Sequence, residues 1–122
     1  MIRIRRVYEA PSDDDGMRVL VDRLWPRGLS KHDARIDAWM KELSPGTELR
    51  KWFSHDPAKW NEFRKRYFAD LRGHEGALAA IIDAARSGTV TLLYASKEIR
   101  LNNAAALKEY LERIAAVGRK AA

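Results

Sequence analysis

Thr89-Val90-Thr91-Leu92-Leu93-Tyr94-Ala95 is the stretch that decides the fold. It is apolar almost without a break, follows the helix-ending pair Ser87-Gly88, and gives way to the polar Ser96-Lys97-Glu98. A run of that length and polarity is what a strand covered on both faces carries. Met17 to Asp22 repeats the character through Val19-Leu20-Val21. Residues 2–8 instead alternate Ile2 and Ile4 with Arg3 and Arg5, the period of a strand with one wet face. The two apolar strands belong at the centre of the sheet and the alternating one at its side.

Helical spacing fills the chain between the strands. Asp56 reads as an N-cap with Pro57 in the first helical position, after which Trp60, Phe63, Tyr67 and Leu71 fall on one face and Lys59, Glu62, Lys65, Arg66 and Asp70 on the other. Leu78, Ile81, Ile82 and Ala85 repeat the pattern, and Leu107, Leu111 and Ile114 mark a last helix that should fray into Gly118-Arg119-Lys120. Shorter helices are expected after Ser44-Pro45 and after Ser30, where Asp33 fits a capping box. Pro11-Ser12-Asp13-Asp14-Asp15-Gly16 has turn chemistry and reads as a solvated loop. Strands alternating with helices predict an α/β fold. It should be a small, mostly parallel three- or four-stranded sheet flanked by helices, one compact domain over residues 1–122.

Composition narrows the chemistry. The chain has no cysteine, which removes disulfides, thiolate nucleophiles and cysteine-based metal sites. The N-terminal Met1-Ile2-Arg3-Ile4-Arg5-Arg6 carries no apolar export signal, and no segment approaches the roughly 20 apolar residues of a membrane span, so a cytoplasmic protein is expected. Twenty-three Lys and Arg against seventeen Asp and Glu leave a net charge of +6, which favours anionic partners.

In an open α/β sheet, ligands bind beyond the carboxyl ends of the strands, so the residues just after each strand carry the functional information. After the second strand, Asp22-Arg23-Leu24-Trp25-Pro26-Arg27-Gly28 brings together two guanidiniums, a carboxylate and an indole. Arg23 and Arg27 suit a phosphate or carboxylate, Trp25 suits a flat ring, and Asp22 would orient an arginine or act as a base. After the third, Tyr94, Ser96 and Lys97 precede Asn102-Asn103, which open the last helix; Ser96 and Lys97 would hold a phosphate at that helix N-terminus, with Tyr94 and Asn102 as further ligand-binding candidates, unless Asn102 is simply the helix cap and Lys97–Glu98 a surface pair. His55, in Trp52-Phe53-Ser54-His55-Asp56, is the candidate acid–base residue if Asp56 orients its imidazole rather than capping the next helix.

Other signatures are missing. The histidines, His32, His55 and His74, lack zinc spacing, and Asp13-Asp14-Asp15 lacks the alternation of a calcium loop, so no metal site is expected. Phosphate-loop, dinucleotide-fold and serine-hydrolase motifs do not occur, and nothing in the sequence names a cofactor.

Three motifs carry a resemblance: Arg18-Val-Leu-Val-Asp22-Arg23-Leu-Trp25-Pro26-Arg27-Gly28, Lys51-Trp52-Phe53-x-His55-Asp56-Pro57, and Thr91-Leu-Leu-Tyr94-Ala-x-Lys97. Together they resemble the YeaO-like family of small bacterial proteins, a branch of a larger family of unknown function, and cover nearly the whole chain. The resemblance implies a compact α/β fold, no established reaction, and motif residues at Asp22, Arg23, Trp25, Arg27, Gly28, Trp52, His55, Asp56, Tyr94 and Lys97. Relatives commonly carry Lys-Asp and then His-Asn before the last helix; here Glu98, Leu101 and Asn102 stand at the matching positions. If that histidine is catalytic in relatives, this chain lacks it, which favours a ligand-binding role without turnover here or means that the chemistry resides in the Arg23/His55 region.

The expectation is therefore a pocket for a small anionic ligand, nucleotides included, at the carboxyl edge of the sheet, with His55 and Asp22 as the catalytic candidates if there is turnover. Two rivals are a nucleic-acid-binding module using Arg3, Arg5, Arg64, Lys65 and Arg66, and an interaction domain anchored by exposed Trp39 or Trp52. The first predicts a continuous basic stripe and the second an apolar patch without a concave pocket.

Overall fold

Strand β4 (Val90–Tyr94) is buried at all five positions and lies inside the sheet, as its sequence requires. The computed structural model describes the backbone of residues 1–121 and the side chains through Val117. Four strands form one parallel sheet in the order β1-β4-β2-β3, where β1 is Ile2–Arg6, β2 is Met17–Leu20 and β3 is Ala38–Trp39. Strand β1 runs beside β4 with Ile2 opposite Val90, and β2 lies on its other side with Leu20 opposite Leu93. The two apolar strands are thus central and the alternating one is an edge.

Five helices connect and cover the strands: α1 (Lys31–Ala34), α2 (Thr47–Phe53), α3 (Trp60–Leu71), α4 (Glu75–Ser87) and α5 (Asn103–Ala121). Alternation along the central strands assigns the two faces. Val19, Val21, Val90, Leu92 and Tyr94 share one core with Phe53, Phe63, Tyr67, Leu78, Ile81, Leu107 and Leu111 from helices α2 to α5. Each such side chain, fully buried, stabilises the fold by roughly 1.5–3 kcal/mol. Leu20 and Leu93 point the other way, into a smaller cluster with Val7, Ala34 and Ile36, against which Trp25 and Trp39 pack. The long helices therefore crowd one face, and the second is closed by α1 and the 25–36 segment.

The aromatic stripe of α3 is inward as its spacing predicts: Phe63, Tyr67 and Leu71 are buried, and the Tyr67 hydroxyl donates to the Leu43 carbonyl. Pro57–Lys59 forms a 3-10 turn capped by Asp56, so the α-helix proper begins at Trp60 rather than at Pro57. Ser30 caps α1 by accepting the Asp33 amide, but that helix is a single turn ending on Arg35, which has a left-handed φ of 50°. The fraying expected at Gly118-Arg119-Lys120 lies outside the residues whose side chains are described.

The reading of 11–16 as a solvated loop needs correcting at Asp15, which is fully buried. A capping box between Ser12 and Asp15 folds the three aspartates into a 3-10 turn, and Asp15 then accepts from both Arg5 and Arg18. Arg18, 4% exposed, spends its remaining donors on the Ala34 and Arg35 carbonyls. This network ties β1 and β2 to the 3-10 turn and to the end of α1. Gly16 follows it with a φ of +61°, and a Cβ there would sit 2.0 Å from the Thr89 carbonyl oxygen, so only glycine fits.

Candidate functional site

At the carboxyl end of the sheet the β2–β4 ladder stops, and side chains take over its hydrogen bonds. The Val21 amide still reaches the Leu93 carbonyl at 3.1 Å, but the next amide on β4's side, that of Ala95, donates to Asp22 Oδ2 at 2.8 Å. Asn103, in the first turn of α5, donates through Nδ2 to the Val21 carbonyl at 3.0 Å and to Asp22 Oδ1 at 3.1 Å. Beyond β2, the Trp39 indole N–H donates to the Asp22 carbonyl at 2.7 Å. Asp22 is thus the knot that joins the ends of both central strands to α5 and β3. Burial pushes its carboxyl above the ordinary value; the Ala95 amide, the Asn103 side chain and the charge of Arg50 act the other way without cancelling it.

Above this knot opens a pocket of about 370 Å³, lined by both strand-end segments and by α2 and the start of α3. It brings together Asp22, Arg23, Trp25, Arg27, Ser96, Asn102 and His55, seven of the residues the sequence singles out. Its walls include Pro26, Pro45, Phe53 and Phe63, the last two stacked with centroids 4.3 Å apart. Arg23, Arg27 and Arg50 reach it from exposed positions, and among the described residues none of the three is in an ion pair.

Individual residues differ from their sequence roles in instructive ways. Trp25 lines the pocket, but its indole N–H already donates to the Leu29 carbonyl at 2.7 Å and its ring meets Trp39 edge-on at 5.2 Å. Asp56 is spent on capping, accepting the Ala58 amide at 3.0 Å, which leaves His55 without the orienting carboxylate proposed for it. His55 is exposed at the pocket wall and held there by two successive left-handed residues, Ser54 at φ 45° and His55 at φ 56°. Asn102 is buried and doubly used: its Oδ1 caps the Ala105 amide at 2.8 Å and its Nδ2 donates to the Glu98 carbonyl at 2.9 Å. Ser96 Oγ accepts the Glu98 amide at 3.0 Å. The amides of Arg100 and Leu101 hold the Glu98 carboxyl below its ordinary value, with a smaller contribution from the charge of His55.

Four residues of the sequence set stand outside the pocket lining. Gly28 supplies a φ of +82° to the turn that carries Arg27, with open space where a Cβ would go. Tyr94 is buried in the main core, and burial raises its hydroxyl's pKa. Lys97 is exposed beside the pocket without lining it. Trp52 packs beneath Arg66, whose guanidinium lies 4.3 Å from the ring centroid, and near Lys59. Leu101 packs against the main core and does not line the pocket.

Sequence reasoning missed Arg50, Asn103 and Phe63. Arg50 stands three residues before Phe53 on α2, the spacing that puts two side chains on one helix face. That signal is present in the sequence. Asn103 joins the site only because α5 starts where β2 ends, which no local pattern announces.

The class of this parallel α/β domain is defined by its sequence relatives. Over residues 1–121 it matches the family described as the inactive DUF488-N3 subclade, and it belongs to that family. It is 43% identical over 110 residues to the uncharacterized protein YeaO of Escherichia coli K12, covering 90% of this chain and 96% of that protein. It is 40% identical over 110 residues to the uncharacterized protein Rv3073c of Mycobacterium tuberculosis, covering 90% and 92%. No solved structure matches it significantly. No helix among the described residues is long and apolar enough to cross a membrane.

Proposed function

We propose that the strand-end pocket binds a small cytoplasmic ligand bearing a phosphate or carboxylate, nucleotides included, and does not turn it over. The observation that carries this is the trio Arg23, Arg27 and Arg50, whose guanidiniums stand at one pocket without carboxylate partners among the described residues. Among the described residues, Arg5, Arg35, Arg64, Arg66, Arg86 and Arg113 are instead each paired with a carboxylate. Like charges gathered around an apolar-walled cavity repel one another until an anion joins them, and a guanidinium offers it paired donors. Binding without turnover is supported by His55 lacking an orienting carboxylate, by Asp22 being engaged at both oxygens, and by the family's own description as inactive.

The nucleic-acid reading draws less support. Arg5 is paired with Glu9 and Asp15, Arg64 with Glu109 and Arg66 with Glu62, which leaves broken the basic stripe that reading needs. Trp39 and Trp52 are half-buried and already packed, so neither stands ready to anchor a protein partner.

A thermal-shift screen against nucleotides, sugar phosphates, carboxylates and short oligonucleotides, at low and moderate salt, tests the proposal. A ligand at a hundred times its Kd stabilises the folded state by about 2.7 kcal/mol. A salt-tolerant rise in melting temperature with a small anion, lost in Arg23→Ala and Arg50→Ala, is the expected result. A rise only with oligonucleotides that vanishes with salt overturns it.

A further inference from the structure

The pocket is polarised along its depth. Its exposed edge presents donors, the guanidiniums of Arg23, Arg27 and Arg50, whereas its half-buried base presents acceptors. Asp22 has each carboxylate oxygen engaged by one N–H, leaving each with capacity for a second. Asn103 uses its Nδ2 on Val21 and Asp22, and no hydrogen bond among the described residues occupies its Oδ1. Ser44 Oγ, also at the pocket, spends its proton on the Lys41 carbonyl at 2.6 Å and can only accept. A plain anion seated here would gain the arginines but face the Asp22 carboxylate, and the base of the pocket would stay unsatisfied.

We propose that the ligand is a guanine nucleotide or a close analogue: its phosphate lies at the arginines, and the adjacent N–H donors of its base edge face Asp22. The inference rests on the anion reading above and adds the identity of the ligand's other end. A lactam N–H beside an exocyclic amine gives two parallel donors that match the two oxygens of a carboxylate. Pro26, Pro45, Phe53 and Phe63 supply apolar walls for a flat ring, and a volume of about 370 Å³ falls in the range of small-ligand sites. An adenine edge at the same place would present an acceptor to Asp22 and be rejected.

Calorimetric titration of the full chain with GMP, IMP, AMP and guanosine tests this. GMP should bind tighter than AMP by about tenfold or more, the discrimination a paired-donor contact supports, with IMP between them because it lacks the exocyclic amine. Guanosine should bind more weakly than GMP because it lacks the phosphate. In Asp22→Asn the GMP-to-AMP ratio should fall towards one; its fold is checked by its melting temperature, and the wild-type ratio stands without it. Equal affinity for GMP and AMP overturns the guanine assignment while leaving the anion reading in place. Absence of binding by all four overturns the guanine assignment, and the anion reading falls with it only if the sugar phosphates and carboxylates of the thermal-shift screen fail as well.

Discussion

Asp22 Oδ2 accepts the Ala95 amide at 2.8 Å in the position where the ladder between the two central strands has no backbone acceptor left. A side chain here does the work of a strand, and the same carboxylate faces the pocket. Under the proposed function, stability and binding are therefore coupled at one residue.

Asp22→Ala should destabilise the protein by roughly 1–3 kcal/mol, because it leaves the Ala95 amide without its acceptor and Asn103 with the Val21 carbonyl alone. The pH dependence carries a definite sign. Burial raises the folded-state pKa above the ordinary 3.8, so the residue's contribution is fullest below that value and declines as pH rises through the folded pKa. Urea denaturation of wild type and Asp22→Asn should show the stability of the variant relative to wild type increasing as pH rises from below 3.8 towards neutrality. A difference independent of pH would contradict a folded-state pKa raised by burial.

Asp15 should behave in the opposite sense. Burial opposes its charge, but the Ser12 amide and the Arg5 and Arg18 guanidiniums outweigh that and lower its pKa below 3.8. Its contribution is present above the unfolded value and is lost as pH falls through the lower folded one. Asp15→Ala strands Arg18 in the interior and should cost about 3–5 kcal/mol, the usual penalty for breaking a buried ion pair from one side. A loss below about 1 kcal/mol by chemical denaturation, the level of an exposed pair, would mean the network is solvated after all.

These two aspartates show what the sequence could and could not reveal. The apolar runs at Val19-Leu20-Val21 and Leu92-Leu93-Tyr94 announce central strands because burial on both faces leaves no room for polar residues. Strand β3 is only Ala38–Trp39, too short for any period to register. Asp15 looks like its two neighbours until the fold sets it beneath Arg5 and Arg18. In the motif around Trp52, Phe53 and His55 reach the pocket and Trp52 does not, because one step along a helix turns the side chain by about 100°. Local composition located the strand-end segments, but the third arginine and the Asn103 bridge arrive from helices distant in sequence.

Ser54→Gly should stabilise the protein by about 0.5–1 kcal/mol, since Ser54 ends α2 with a left-handed φ of 45° that costs a residue with a Cβ and costs glycine nothing. Thermal unfolding would read this as a modest rise in melting temperature. A fall would show that the unfolded chain's added freedom outweighs relief of the backbone, and that the loop holding His55 is not strained.

The central claim, that the pocket over Asp22 is where an anion binds, is tested most directly by a proton–nitrogen NMR titration with GMP. The account predicts shifts concentrated at Arg23, the Trp25 indole, Arg50, His55, Ala95 and the Asn103 side-chain amide, with α4 unmoved. Shifts gathered instead around Arg3, Lys65 and Arg66, or no shift anywhere at millimolar ligand, would contradict it.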